Sequence, residues 1–290
     1  MNYPLFFAIL SPVIWGTMNI LDKYVIANKV KRALGYAVVA GIVNLFLGIV
    51  LALFIDWSGM TAKDLLFPAI AGILLGLQLC FYFLILQKED VSNLVGLIYT
   101  YPILIALLSY LFLNELLSLT AYIGIAITLA GTVILSVRIR KVGLLVGSWI
   151  AIMVLLVAFY EFFIKIATIN IPEMNGIAVN IIFTGLTVMP LLLDRKTRNG
   201  FLSELKNIKW ALLNESLTFS AVFVTYFAMA GLSATIVATI GTLQPIIVVF
   251  LERIVNFFTG NMTKEKLLPK LLPISMIVIG VILLYVSELM

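Results

Sequence analysis

Ten stretches of about 20 mostly apolar residues follow one another along this chain. They run over Pro4–Ala27, Ala33–Ile55, Leu65–Leu86, Val91–Leu113, Leu119–Val137, Gly143–Ala167, Gly176–Leu193, Trp210–Leu232, Ala234–Phe257 and Leu267–Tyr285. A helix rises about 1.5 Å per residue, so about 20 apolar residues cross the roughly 30 Å hydrocarbon core of a bilayer. Each stretch therefore predicts one transmembrane helix, and the fold class is an all-α membrane protein. Of the 290 residues only 11% are charged, against about 25% in a soluble domain. That balance excludes an ordinary globular enzyme, a disordered chain and a nucleic-acid-binding domain. The first stretch has no basic segment before it and no small-residue cleavage site after it. It reads as a span and not as a removable signal peptide.

The residue inventory removes much chemistry. The chain has no His and a single Cys, Cys80, inside an apolar stretch. An intrachain disulfide and a Ser–His or Cys–His catalytic pair are excluded, and no zinc or haem ligand set is expected. No Gly-x-x-x-x-Gly-Lys-Ser/Thr phosphate loop occurs, so this chain does not drive anything with ATP directly. The expectation is a non-enzyme without metal or cofactor.

Charge sets an expected orientation. With ten spans both termini share a side, and the loops after the odd-numbered spans lie opposite. Those loops hold 15 basic residues: Lys29, Lys31, Arg32, Lys88, Arg138, Arg140, Lys141, Arg195, Lys196, Arg198, Lys206, Lys209, Lys264, Lys266 and Lys270. The other side holds only Lys63, with Asp56, Asp64, Glu115, Glu173 and Glu288. The positive-inside rule then puts both termini outside the cytoplasm of a cell-membrane protein. In the longest loop, Asp194–Lys209, Phe201, Leu205 and Ile208 form an apolar stripe beside Lys206 and Lys209. That pattern suits a helix lying on the membrane surface.

The chain also carries an internal echo. Tyr101-Pro102 in the fourth span matches Gln244-Pro245 in the ninth, 143 residues on, and Lys23 ending the first matches Lys165 in the sixth, 142 residues on. Five spans is an odd number, so the second half must be inverted relative to the first. The expected organisation is a five-helix repeat over residues 1–137, a linker at 138–142 and an inverted five-helix repeat over 143–290. Inverted repeats with broken helices are a transporter architecture, with the site at the repeat interface.

Three stretches resemble a known family. Trp15-Gly-Thr-Met-Asn-Ile-Leu-Asp-Lys23, the run from Tyr101-Pro102 to Leu111-Phe-Leu-Asn-Glu115, and Gly124 with Gly131 in the fifth span are similar to the EamA-type ten-helix branch of the drug/metabolite transporter superfamily. The resemblance implies exchange or proton-coupled movement of small metabolites, amino acids, amines, nucleotide-sugars or drugs. The ninth span departs from the pattern. It ends in Asn256-Phe-Phe-Thr-Gly260, without a second Glu. The family usually keeps both termini in the cytoplasm, against the charge pattern here.

Polar groups inside the spans are the candidate site. An ionised carboxylate at mid-helix costs about 2.5–3.5 kcal/mol to insert. Asp22, Glu161, Glu215 and Glu252 together would cost about 10 kcal/mol, comparable to a domain's whole stability. They must be paired, protonated or facing a wet cavity. Asp22 beside Lys23, and Glu252 beside Arg253, fit anchoring pairs near the basic face. Glu161 either pairs with Lys165 one turn on or lines a cavity, and Glu215 has no basic neighbour within a turn. Proline leaves a carbonyl unpaired four residues back, so the fourth and ninth spans should kink and cross at a central pocket. The candidate solute-binding set is Trp15, Asn19, Gln78, Tyr82, Tyr99, Tyr160, Glu161, Glu215, Tyr226 and Gln244. Asp22, Lys23, Lys165, Glu252 and Arg253 are coupling or ion-pair candidates. Asn44 and Asn180 add further polar groups inside spans.

The sequence-level function is a secondary transporter of a small polar solute, such as an amino acid or amine, working by alternating access. The alternative is a flippase for a lipid-linked polar substrate. Its partners are the solute and the bilayer, with no nucleic acid. Gly72-Ile-Leu-Leu-Gly76 and Gly143-Leu-Leu-Val-Gly147 have small-xxx-small spacing, read as packing inside the bundle of a monomer, with a homodimer as the alternative.

Overall fold

The structure is a computed structural model, and it describes residues 3–89, 91–136, 143–258 and 268–289. The chain is 86% helical, with no strand among the described residues. The helices are α1 (Tyr3–Asn28), α2 (Ala33–Ala52), α3 (Leu66–Leu86), α4 (Val91–Ile98), α5 (Pro102–Leu113), α6 (Leu119–Ser136), α7 (Leu144–Asn170), α8 (Glu173–Val188), α9 (Arg195–Glu204), α10 (Ile208–Gly231), α11 (Ala234–Gly241), α12 (Gln244–Phe258) and α13 (Leu268–Leu289). Eight helical stretches are long and apolar enough to cross a membrane. Two more are shorter, Leu119–Leu135 in α6 and Leu271–Leu284 in α13. The linker expected at 138–142 lies outside the described residues.

The two proline-bearing spans are broken. Between α4 and α5, Thr100 and Tyr101 donate their N–H groups three residues back, to Leu97 (3.3 Å) and Ile98 (3.0 Å). Between α11 and α12, Thr242 and Leu243 do the same to Thr239 and Ile240, both at 3.0 Å. Pro102 and Pro245 then open the second rod of each pair, where a missing N–H costs nothing. The broken helices pack on one another, α5 on α11 and α4 on α12.

The remaining helices pair around them. α1 packs on α10, α3 on α7, α2 on α8 and α6 on α13. Without a hydrophobic force between helices in lipid, close backbone approach decides such contacts. An ideal Cβ at Gly185 of α8 would sit 2.5 Å from the carbonyl oxygen of Gly41 on α2. Gly72 and Gly76 likewise press on the backbone of α8, at Asn180 and Thr184. Gly143 and Gly147 differ: a Cβ at either would meet nothing within 4 Å. Their spacing matches the packing motif, but no helix lies against them.

Helix ends inside the bundle are satisfied by side chains. Lys23 Nζ donates to the carbonyls of Leu86 (3.2 Å) and Glu89 (2.6 Å), at the end of α3. Lys165 Nζ donates to those of Met229 (2.9 Å) and Leu232 (2.7 Å), at the end of α10. Glu115 lies 3.9 Å from Lys165 and accepts the N–H of Ala234 at the start of α11, at 3.1 Å. Ahead of it Asn114 ends α5 at φ 53°, a left-handed conformation that Asn tolerates better than most residues. The Lys165–Glu161 pair allowed by spacing is therefore not the one formed.

The helix predicted for the membrane surface exists as α9. Asp194 caps it, accepting the N–H of Thr197 at 2.8 Å. Those donations hold the Asp194 carboxyl below the usual carboxylate range. Thr197, Gly200 and Glu204 face inward, and a Cβ at Gly35 of α2 would sit 2.5 Å from the Gly200 carbonyl carbon. Glu204 accepts the N–H groups of Lys31 (2.9 Å) and Arg32 (3.1 Å), capping the approach to α2. Of the apolar stripe, Phe201 is half-buried, whereas Leu205 and Ile208 are exposed.

Two outcomes check this packing. Gly185→Val forces a side chain onto backbone and should cost about 1–3 kcal/mol. Gly147→Val should leave the thermal unfolding midpoint in detergent unchanged. Lys165→Met strands two helix-end carbonyls and should cost about 1–3 kcal/mol, read as a lower midpoint, with much of it restored in Lys165→Arg.

Candidate functional site

The bundle encloses a cavity of about 110 Å³ between α1, α2, α3, α4, α7, α8 and α10, closed at the helix breaks by Tyr99 and Gln244. At roughly 30 Å³ per water it holds three or four. Trp15, Met18, Asn19 and Asp22 on α1 recur at three- and four-residue spacing, which puts them on one face of the helix. Gln78 and Tyr82 present one face of α3, and Met153, Val157, Tyr160 and Glu161 one face of α7.

A chain of hydrogen bonds runs along the wall. Asn19 Nδ2 donates to the Tyr82 hydroxyl at 2.7 Å. Gln244 Nε2 donates to Asn19 Oδ1 at 2.5 Å. The Tyr99 hydroxyl donates to Gln244 Oε1. Next to it, Tyr101 donates its hydroxyl proton to Glu161 Oε1 at 2.5 Å, and its ring packs on that of Tyr99 at 5.4 Å. Gln78 Nε2 donates to the Leu156 carbonyl at 3.2 Å.

Three carboxylates line the cavity: Asp22, Glu161 and Glu215. None of the 21 lining residues is Lys or Arg. Asn214 Nδ2 donates to Asp22 Oδ1 at 2.5 Å, and Asn44 Nδ2 donates to Glu215 Oε2 at 2.7 Å. The second Glu161 oxygen, the Tyr160 hydroxyl and the amide oxygens of Asn44 and Asn214 are buried with no hydrogen-bond partner among the described residues. A buried acceptor without a donor is costly. The cavity wall therefore offers free acceptors and negative charge to whatever enters.

Of the sequence candidates, Trp15, Asn19, Gln78, Tyr82, Tyr99, Tyr160, Glu161, Glu215 and Gln244 all line this cavity. Tyr226 does not. It is fully buried against Gly176 of α8, and its hydroxyl accepts from Asn180 at 3.2 Å. Its neighbour Thr225 lines the cavity instead. Asp22, expected near an anchoring pair, is 2% exposed and faces the cavity. Lys23 and Lys165 serve the helix ends described above. Glu252 is half-buried and Arg253 exposed, both on α12 and away from the cavity lining. Sequence reasoning singled out neither Asn214 nor Thr218. Asn214 was visible only as part of a glycosylation-type Asn-Glu-Ser sequence.

Comparisons place this geometry among known proteins. A family model described as the EamA-like transporter family matches residues 2–137. Uncharacterized protein MJ1333.1 of Methanocaldococcus jannaschii is 30% identical over 127 residues, covering 44% of this chain and 86% of that relative. A solved structure described only as "Crystal structure of protein" superposes with a TM-score of 0.68 at 16% identity, over 98% of this chain and 97% of that one. That likeness speaks to the fold alone. With its multiple apolar helices and this family match, the chain is an integral multi-pass membrane protein that belongs to the EamA-like transporter family, within the drug/metabolite transporter superfamily.

Proposed function

We propose that the protein is a secondary transporter that moves a small cationic or zwitterionic solute, such as an amine or amino acid, by alternating access of two inverted five-helix halves, residues 1–137 and 143–290. The observation that carries this reading is the cavity wall: three carboxylates, unpartnered acceptors and no basic side chain among the described lining residues. An ammonium group brings the donors and the positive charge that such a wall lacks. The tyrosines and Trp15 offer π faces for a cation.

Ten spans and an inverted repeat are supported by hydrogen bonds that recur between the halves. The Lys23 contacts to Leu86 and Glu89 reappear as Lys165 with Met229 and Leu232, each partner shifted by 142 or 143 residues. Tyr101 bonded to Glu161 reappears as Gln244 bonded to Asn19, with the donor shifted forward by 143 and the acceptor back by 142. The two breaks, four residues ahead of matched positions in α5 and α12, fall at the same offset. Such halves exchange roles when the cavity opens to one side and then the other.

The substrate class is tested by a thermal-shift screen of purified protein against amino acids, amines and nucleotide-sugars. Cationic or zwitterionic solutes should raise the midpoint by mass action, and Glu161→Gln should weaken that binding tenfold or more, as expected for loss of a charged hydrogen bond worth about 1.5–3 kcal/mol. Uptake of the hit into proteoliposomes should fall with it. Stabilisation only by anionic solutes overturns the reading.

Orientation follows from the basic loops, which place both termini outside the cytoplasm. Cys80 is the only native cysteine, so Asn2→Cys in a Cys80→Ala background reports one position. An impermeant maleimide should label it in intact cells, and labelling only after permeabilisation reverses the assignment.

A further inference from the structure

Asp22 on α1 and Glu215 on α10 meet at the cavity wall formed with α2. They are 2% and 1% exposed, and each lies within reach of the other's charge. The groups facing them carry no compensating cation. From α2 come Asn44 and the Tyr36 hydroxyl, which feels both carboxyls. From α3 comes Tyr82, already accepting from Asn19. From α10 come Asn214 and Thr218, and beyond Tyr36 lies another acid, Glu204 of α9. Lys23 follows Asp22 in sequence, but its ammonium reaches the carbonyls that end α3.

Counting hydrogen bonds exposes a shortage of donors. Each carboxyl receives one amide N–H, from Asn214 or Asn44. The remaining oxygens of both amides, and the Tyr36 hydroxyl, are buried with no partner among the described residues. Asn44 is 0% exposed and lines the cavity, so its free oxygen belongs to this cluster. Two like charges side by side in a low-dielectric interior repel strongly. A single O–H on one carboxyl removes half the charge and supplies a donor to the other carboxyl or to a stranded amide oxygen.

We propose that Asp22 and Glu215 form a proton site that holds one proton between them, separate from Glu161, which faces the solute. Binding takes the pair from two negative charges to one, and release returns that proton to water. Within the transporter reading, on which this use of the site rests, one proton leaves the pair as one solute cation enters the cavity. The charge inside the protein is then unchanged, and the solute moves in exchange for a proton.

The test needs no solute. Infrared spectra of the purified full-length protein in liposomes, taken at neutral pH in H2O and D2O, read the carbonyl stretch of protonated carboxyls directly. A band that downshifts in D2O is expected in the wild type. It should be lost in Asp22→Asn and in Glu215→Gln and kept in Glu161→Gln. The near-isosteric Glu215→Gln retains a side chain that can contact Asn44, so it stands in if Asp22→Asn does not fold. Absence of the band from wild type, its survival in Glu215→Gln, or its loss only in Glu161→Gln overturns the proposal. A midpoint raised by NaCl but not by choline chloride also overturns it, because the cluster would then hold a metal cation. Failure of the transporter reading would show as absence of solute uptake, with the infrared band in place.

Discussion

A polar group buried in a bilayer has no water to fall back on, so every one must find its partner inside the protein. That constraint explains more of this structure than any apolar contact does. The bundle's polar groups sort into two kinds. Those that hold the frame are matched: Lys23 and Lys165 with helix-end carbonyls, Glu115 with the start of α11, and Glu204 with the start of α2. Those around the cavity are left short of donors: Asp22, Glu215 and Glu161, with the amide oxygens of Asn44 and Asn214. A protein that matched the first kind could have matched the second. The difference marks the cavity as the place where an outside group completes the bonding.

The broken helices serve the same division. Pro102 and Pro245 interrupt the two spans that meet at the cavity, and the irregular backbone there is tolerated because protein surrounds it on all sides. Each break also turns an aromatic or amide side chain, Tyr99 or Gln244, onto the wall, and these two bond to one another across the halves. The contact between the halves at this level is thus polar and narrow. Close glycine crossings, such as Gly41 with Gly185, lie away from it on other helices.

Much of this was legible in the sequence, because lipid makes helices read as apolar runs and prolines read as breaks. The offset between Tyr101-Pro102 and Gln244-Pro245 needed no coordinates. What stayed hidden was helical phase and long-range partnership. Tyr226 and Thr225 are neighbours, yet about 100° of helix turn sends one toward α8 and the other to the cavity. Asn44 and Glu215 are 171 residues apart, and Asn214 and Asp22 are 192 apart, so no local pattern joins them. The spacing of Gly143 and Gly147 announces a smooth helix face but says nothing of what stands opposite. Glu161 and Lys165 sit at pairing distance along α7, and only tertiary structure offers each a better partner.

The two lysine clasps grip main-chain oxygen. A main-chain carbonyl does not ionise at any physiological pH, so the anchor points for α3 and α10 hold whatever the protonation of the chamber. Traffic of charge through the interior therefore leaves the scaffold's fastenings undisturbed, and the same hinges can serve cycle after cycle.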